Sequence, residues 1–376
     1  MRLGNCDVIV TYCWNRVGYN ILRSLAAHGL SVWVADTSKY NICSVSKYSK
    51  GAFTYPDPFT KEEEFIDTLL KKVKELKPKV LIPTHDESVV IMRHKDEFPT
   101  DLEIPYSNAD LLHNIANKAW ATEKAESCGI PTPHVYENWK DVKVFPCVFK
   151  TVIGNSAKTV FFPSNAEMLQ DLVEQYRGYE TLIEEKVDGT DYSVDCVRWD
   201  GFFKCSTYHA LMTKTDGGGT TTQRVIVSVP ELEKYAKLLL EAVDYKGVCG
   251  MDFRYDTETG RVAFIEVNAR FTGGIATPIS AGYDIPWVLY SLVTRGDYKA
   301  PIDIRVGTRT KWILGDIITL VGRLLSFKIN KHDFKMALTF KGFDAFDDYR
   351  SDDRFAILGE MSYYLNKLIK NRKLNP

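Results

Sequence analysis

Gly250–Gly274 has the sequence GMDFRYDTETGRVAFIEVNARFTGG, two strand-like runs around a polar turn. Met251–Tyr255 and Val262–Val267 flank Asp256–Gly260, and the glycine that ends the turn predicts a β-hairpin. Side chains alternate faces along a strand, so Phe264, Glu266 and Asn268 are expected on one face. Asp252 can reach that face from the other strand. Such a set of oxygen donors suits a hard cation such as Mg²⁺, with phosphate oxygens completing the shell. Arg270 follows on the same parity and offers a planar cationic fork suited to phosphate. An ordinary hairpin with a wet polar face has the same alternation. Two details weigh against it. Glu266 interrupts the apolar run Val262-Ala263-Phe264-Ile265, and Glu-x-Asn-x-Arg is followed by Gly273-Gly274, which offers little steric cover.

Upstream of the hairpin, Asn117-Lys118-Ala119-Trp120 opens a helix that Gly129 ends. A helix dipole disfavours a lysine in the first turn, and a bound phosphate would resolve the conflict; a solvated lysine is the plain alternative. Phe145–Lys150 is a strand ending in Lys150, which either snorkels to water or meets phosphate. The small-residue loop Gly154-Asn155-Ser156-Ala157-Lys158 follows, and its N–H groups could lie over phosphates. In Thr181–Asp195 a strand leads into the acidic pair Glu184-Glu185 and then Val187-Asp188-Gly189, where Asp188-Gly189 could also turn a simple hairpin. Leu211–Arg224 contains Gly217-Gly218-Gly219-Thr220-Thr221-Thr222 and reads as a mobile loop, either a lid beside a site or a plain excursion.

Ile265–Arg270 resembles the Glu-x-Asn-x-Arg signature of the ATP-grasp superfamily, and the interval of 14 residues from Asp252 to Glu266 is similar to the spacing of its metal ligands. The order Lys118, Lys150, small-residue loop, acidic hinge and hairpin is also similar, over about Asp7 to Gly296. The resemblance implies ATP with Mg²⁺, or Mn²⁺, as cofactors. It implies that Asp252, Glu266 and Asn268 hold the metal and that Arg270 steadies a phosphoryl group or acylphosphate. Lys118, Lys150, Gly154 and Ser156 would serve the phosphates. Glu184, Glu185 and Val187 would meet adenine, largely through backbone groups. Asp191 would take the ribose hydroxyls, where glutamate is usual and aspartate reaches less far. Lys214 and Arg224 become candidates for contacts to the acceptor substrate or to phosphate. Within the superfamily the chain looks most like one copy of the repeated unit of the carbamoyl-phosphate synthase large subunit, and it is similar to stand-alone carboxylate–amine ligases. The implied reaction joins a small carboxylate to an amine, or less readily a thiol, through an acylphosphate. A nucleotide-binding scaffold without turnover and a nicotinamide-dependent oxidoreductase are the rival readings.

The expected fold class is α/β: a Rossmann-like parallel-sheet domain over residues 1–112, a two-lobed α+β ATP-grasp domain over 113–299 with lobes of about 113–187 and 188–299, and a C-terminal extension over 300–376. Asp7–Thr11, Val17–His28 and Ser31–Ala35 make the first β-α-β unit. A dinucleotide reading would put Asp36 on a ribose, but Trp14 and Arg16 stand where a pyrophosphate turn needs glycines. Thr60-x-x-Glu63 and Ser164-x-x-Glu167 read as capping boxes. Thr84–Ser88 follows the strand Val80–Pro83 and serves either as a ligand end or as a helix cap through Asp86 or Thr84.

Length and composition set the outer limits. A chain of 376 residues, 45% hydrophobic and 26% charged, forms two or three packed units. A net charge of −1 gives no basis for nucleic-acid binding. The eight cysteines occur without a Cys-x-x-Cys pair, so reduced thiols and a cytoplasmic setting are expected. The first residues read as a strand and not as a signal peptide, and no apolar run reaches membrane-spanning length. A homodimer is allowed. Lys311–Leu325 is apolar at helical spacing and reads as a docking helix in preference to a membrane-surface helix. Lys367–Lys373 reads as a solvated basic tail, and the acidic run Phe343–Asp353 suggests no chemistry.

Overall fold

The computed structural model describes residues 6–154, 159–215, 218–326 and 331–371. Two strands of the first sheet, Val8–Val10 (VIV) and Val80–Ile82 (VLI), are short, fully apolar and buried on both faces, whereas Gly51–Thr54 at its edge is partly exposed. β1 (Val8–Val10), β2 (Val32–Asp36), β3 (Gly51–Thr54) and β4 (Val80–Ile82) pair in parallel in the order β3-β2-β1-β4. The helices α1 (Arg16–Ala27) and α2 (Glu62–Leu76) connect them, and α3 (Glu87–Arg93) follows β4. Next come α4 (Ala109–Ala116) and α5 (Lys118–Ser127).

A three-stranded antiparallel sheet follows, with β5 (Cys147–Thr151) between β6 (Val160–Phe161) and β7 (Thr181–Glu185), and with α6 (Ala166–Gln175) connecting β6 to β7. Val142, Cys147, Phe149, Leu169 and Ile183 give it a small core of its own. The largest sheet comprises β8 (Thr190–Trp199), β9 (Phe202–Thr215), β10 (Gly218–Val227), β11 (Gly247–Tyr255), β12 (Val262–Asn268), β13 (Arg309–Lys311) and β14 (Ala345–Phe346), in the order β12-β11-β8-β9-β10-β13-β14. α7 (Pro230–Ala242), α8 (Ala276–Ala281) and α9 (Ile285–Arg295) accompany it. Residues of the parallel sheet (Val8, Ile9, Leu81) and of the large sheet (Val194, Met251, Phe264) share one continuous core. Burial of this shared core fixes the two sheets against each other.

The C-terminal residues tie the parts together. α10 (Ile313–Leu325), α11 (Lys331–Leu338) and α12 (Ala356–Asn371) follow the strands of the large sheet's edge. Trp14 of the first βα loop stacks on Tyr363 with ring centroids 4.6 Å apart, and Tyr19 and Ser46 both donate to Asp353. Among the described residues no helix is long and apolar enough to cross a membrane. All eight cysteines are free thiols, seven of them buried.

Several local expectations are corrected. Leu211–Arg224 is not a mobile loop over its described length, because residues up to Thr215 extend β9 and those from Gly218 belong to β10. Thr222, Gln223 and Arg224 are fully buried there. Neither capping box forms. α2 starts at Glu62 without a side-chain cap, and Asp57 instead accepts from the amides of Phe59 and Thr60. α6 is capped by Asn165, which accepts from Met168 N. Neither Thr84 nor Asp86 caps α3; Glu87 turns inward and accepts from Thr84 N and Thr11 Oγ1. Asp188-Gly189 does not turn a hairpin, since β7 and β8 lie in different sheets. Gly189 has φ +122°, and a Cβ there would lie 2.7 Å from the Tyr255 backbone, so glycine suits this crossing between sheets. The helix expected from Lys311 begins at Ile313, and Lys311 pairs in β13 with Gln223.

Candidate active site

The β11–β12 hairpin positions the central groups. Asp252 lies directly opposite Glu266, and Gly250 opposite Asn268. Directly paired residues in an antiparallel ladder project to the same face. A bulge between Asp252 and Phe253 then shifts the register, so that Phe253 faces Phe264. Phe264 therefore leaves the face of Glu266 and packs edge-on against Phe253 with centroids 5.8 Å apart. This corrects the expectation that Phe264, Glu266 and Asn268 share one side. The bulge separates the carboxylates from the aromatic core.

On the polar face Asn268 Nδ2 donates to Asp252 Oδ2 at 3.0 Å and to Glu266 Oε1 at 3.4 Å, and its Oδ1 accepts from Arg270 Nη2 at 3.1 Å. Ser193 of β8, which pairs with Asp252, donates its hydroxyl to Asp252 Oδ1. Arg270 Nε reaches Asp86 Oδ1 at 3.1 Å, linking the hairpin to the carboxyl end of β4. Burial first, and then the neighbouring Glu266 charge, push Asp252 up to about 8. Burial alone would also raise Glu266, but Lys118, Lys150 and Arg270 draw it below the usual carboxylate range. The opposed pair thus resists carrying two negative charges without a cation beside it.

Two lysines face this pair. Lys118 opens α5, where Asn117 caps the amides of Ala119 and Trp120 and leaves the Lys118 side chain to reach across. Its Nζ lies 3.1 Å from Glu266 Oε2 and 3.0 Å from Gly154 O. A Cβ on Gly154 would come within 2.9 Å of Thr159 Oγ1, so a larger residue there would displace that hydroxyl. Lys150 of β5 meets Glu184 of β7 at 2.8 Å, both side chains being 3% exposed. Burial raises Glu184 above its ordinary value while Lys150 and Lys118 oppose the rise. Lys118, Lys150, Glu184 and Glu266 therefore form one cluster of alternating charge where α5, β5, β7 and β12 meet.

The remaining expected residues lie at varied distances from this centre. Glu185 accepts from His134 N at 3.0 Å and from Arg261, and Val187 is buried beside it in sequence. Asp191 pairs with Arg254 at 2.8 Å. Ser156 lies outside the described residues. Lys214 stacks its ammonium 4.4 Å from the centroid of Trp312. Arg224 is 0% exposed and sends Nη1 and Nη2 to Asp347 Oδ2 at 3.0 and 2.6 Å. Its charge is engaged by the C-terminal segment, together with Arg16, whose Nε lies 3.3 Å from the same oxygen. The sequence reading missed Ser193 and Asp347. Ser193 could have been found from the parity of Asp191, Ser193 and Asp195 along β8. No local signal marks Asp347. Asp36 accepts from Trp14 N and Ser38 N and is 1% exposed, which leaves it turned away from any ribose.

The donor set fits a hard divalent cation. Asp252 and Glu266 converge with Asn268, whose amide nitrogen faces both carboxylates and whose oxygen is held by Arg270, and like charge on the two carboxylates is what a cation would relieve. Among the described residues no three His, Cys, Asp or Glu side chains form a metal group on their own. Oxygens from a polyphosphate would be needed to complete a shell.

Both the sequence and the fold are similar to known proteins. Residues 178–315 match the family described as ATP-grasp in the biosynthetic pathway with Ter operon. No curated protein matches the sequence. Among solved structures the fold is similar to biotin carboxylase from Campylobacter jejuni in a βγ-ATP complex, with a TM-score of 0.67 and 12% identity over 81% of this chain and 74% of that one. It is also similar to L-amino acid ligase from Bacillus licheniformis, with a TM-score of 0.63 and 17% identity over 80% of this chain and 78% of the other. N5-carboxyaminoimidazole synthetase from Staphylococcus aureus gives a TM-score of 0.65 and 12% identity over 86% and 88% of the two chains. At these identities the likeness concerns the fold.

Proposed function

We propose that this chain, an ATP-grasp protein by its fold and by the match over residues 178–315, is an ATP-dependent ligase that joins a small carboxylate to an amine. One observation carries the reading: Lys118 and Lys150, both nearly buried, converge beside the opposed carboxylates of the β11–β12 hairpin. Buried ammonium groups are costly without anionic partners. A triphosphate brought to this face offers both lysines further anions, and its oxygens complete the shell begun by Asp252, Glu266 and Asn268.

The chemistry follows from position and charge. A substrate carboxylate oxygen attacks the γ-phosphorus of ATP, the bond from that phosphorus to the bridging oxygen breaks, and ADP leaves. The amine nitrogen then attacks the acylphosphate carbonyl, a C–N bond forms, the C–O bond to phosphate breaks, and the amine proton passes to solvent. Lys118 and Lys150 neutralise phosphate oxygens, and low solvent exposure strengthens that effect. Arg270, held by Asp86 and Asn268, presents a fixed cationic fork at the hairpin's end. A bound divalent cation would add charge neutralisation on the transferred phosphoryl group. No covalent protein nucleophile is needed, because alignment of the reactants supplies much of the rate.

The experiment is phosphate release from MgATP with a panel of amino acids, followed by mass spectrometry of the products. Release that needs both a carboxylate and an amine supports the ligase. Tight ATP binding without turnover across the panel would favour a scaffold, and a nicotinamide fluorescence response without ATP binding would reject both.

A further inference from the structure

The ligase reading leaves an apolar, basic surface on the C-terminal helices unused. α10 turns Leu314 inward, where it clusters with Trp312, Ile318 and Tyr364 of α12. Its other side shows Ile317, Val321, Leu324 and Leu325 to solvent, with Leu324 57% and Leu325 71% exposed. The surface continues through Phe334 and Leu338 of α11 and Phe340 beyond it, all exposed. On α12, Leu358, Met361, Leu365 and Ile369 recur at spacings of three and four residues and are also exposed. That spacing places them along one helix face. Leu314 and Ile318 of α10 and Tyr364 of α12 share one cluster with Trp312, which ties the two helices to a common core. Exposed apolar surface on this scale marks an interaction site.

Charge identifies the partner. From Ile317 to Lys341 the sequence has Arg323, Lys328, Lys331, Lys335 and Lys341 against Asp333 alone. Lys331, Lys335 and Lys341 are exposed. From Ala356 onward Lys367, Lys370, Arg372 and Lys373 stand against Glu360, which is fully buried. The whole chain carries a net charge of −1, so this excess is local. We infer that the face formed by α10, α11 and α12 rests on an anionic lipid surface, with the leucines and phenylalanines entering the headgroup boundary and the lysines meeting lipid phosphates. A second copy of this chain fits less well, because a two-fold contact would set these lysines against their own counterparts. α10 docks through Leu314 and Thr319, and the basic residues contributed by α11 and its flanks add a surface role for its outer side.

The test is sedimentation of the full chain with vesicles of pure phosphatidylcholine and with vesicles containing phosphatidylglycerol. Pelleting is expected with the anionic vesicles, weakened by high salt, and absent with the neutral ones. Leu324→Glu combined with Leu325→Glu, and Lys331→Glu combined with Lys335→Glu, should each lower vesicle affinity by about tenfold or more while ATP binding is retained. Failure of the unmodified chain to pellet with anionic vesicles overturns the inference. So does pelleting that neither variant reduces. Light scattering that shows a dimer abolished by the leucine variant, without vesicle binding, would assign the face to a second copy and overturn it as well.

Discussion

Replacing Lys150 by methionine separates its charge from its role in the fold. In the folded chain Lys150 and Glu184 pair at 2.8 Å with both side chains 3% exposed. Methionine keeps the stem's volume and deletes the charge, so Glu184 loses its principal counter-ion. Breaking such a pair from one side costs about 3–5 kcal/mol. The carboxyl can limit that cost by taking a proton, and protonating an ordinary glutamate at pH 7 costs about 3.7 kcal/mol. A loss of about 3–4 kcal/mol is therefore expected for Lys150→Met. Adding Glu184→Gln removes the stranded charge and should restore stability to within about 1 kcal/mol of the unmodified chain. ATP affinity should fall at least about tenfold in the single variant and stay low in the double variant, because the phosphate partner is gone in both. Denaturant unfolding and calorimetric ATP titration measure the two quantities separately. A double variant that recovers full ATP affinity would refute the phosphate role and leave the pair purely structural.

Three further outcomes follow from the same geometry. Glu266→Gln removes like-charge repulsion on Asp252 but also the partner of Lys118, so the melting temperature of the ligand-free chain should change little. The Mg²⁺-dependent part of ATP stabilisation should vanish and turnover fall about a hundredfold or more, as thermal shift and rate assays would show; near-normal MgATP turnover contradicts the metal assignment. Burial pushes Asp36 up to about 7, so the folded state holds this proton more tightly than the unfolded state. Its contribution is full below about pH 4 and is lost as pH rises toward 7, at up to about 1.4 kcal/mol per pH unit, and Asp36→Asn should flatten that part of the stability profile. An unchanged slope removes Asp36 from the account. Arg224→Met should destabilise the chain by about 3 kcal/mol by leaving Asp347 with Arg16 alone, adding Asp347→Asn should relieve part of this, and ATP affinity should hold in both variants; a large fall in affinity would return Arg224 to the site.

The fold is readable in the sequence where patterns are local. The apolar strands from Val8 to Ile82, the helix stop at Gly129 and the Gly250–Gly274 hairpin each rest on periodicity or turn chemistry within a few residues. The convergence of Asp252, Glu266 and Asn268 follows from strand parity. The bulge that turns Phe264 away does not, because the register depends on what each strand packs against. Glycine and threonine content suggested a loop over Leu211–Arg224, yet the neighbouring strand β13 and Asp316 supply partners that bury Gln223 within a sheet. Long-range pairs were invisible for the same reason. Nothing near Arg224 in sequence announces Asp347, and nothing near Lys150 announces its ion pair with Glu184.

The most direct test of the central claim uses amino acids labelled with ¹⁸O in their carboxylates, supplied with MgATP and a pool of amines. Attack of a carboxylate oxygen on the γ-phosphorus transfers one labelled oxygen to phosphate for each ADP formed. The account predicts phosphate carrying a single ¹⁸O, together with an amide product lacking one labelled oxygen. ADP formation with unlabelled phosphate, or an absence of ADP formation across the pool, would contradict it.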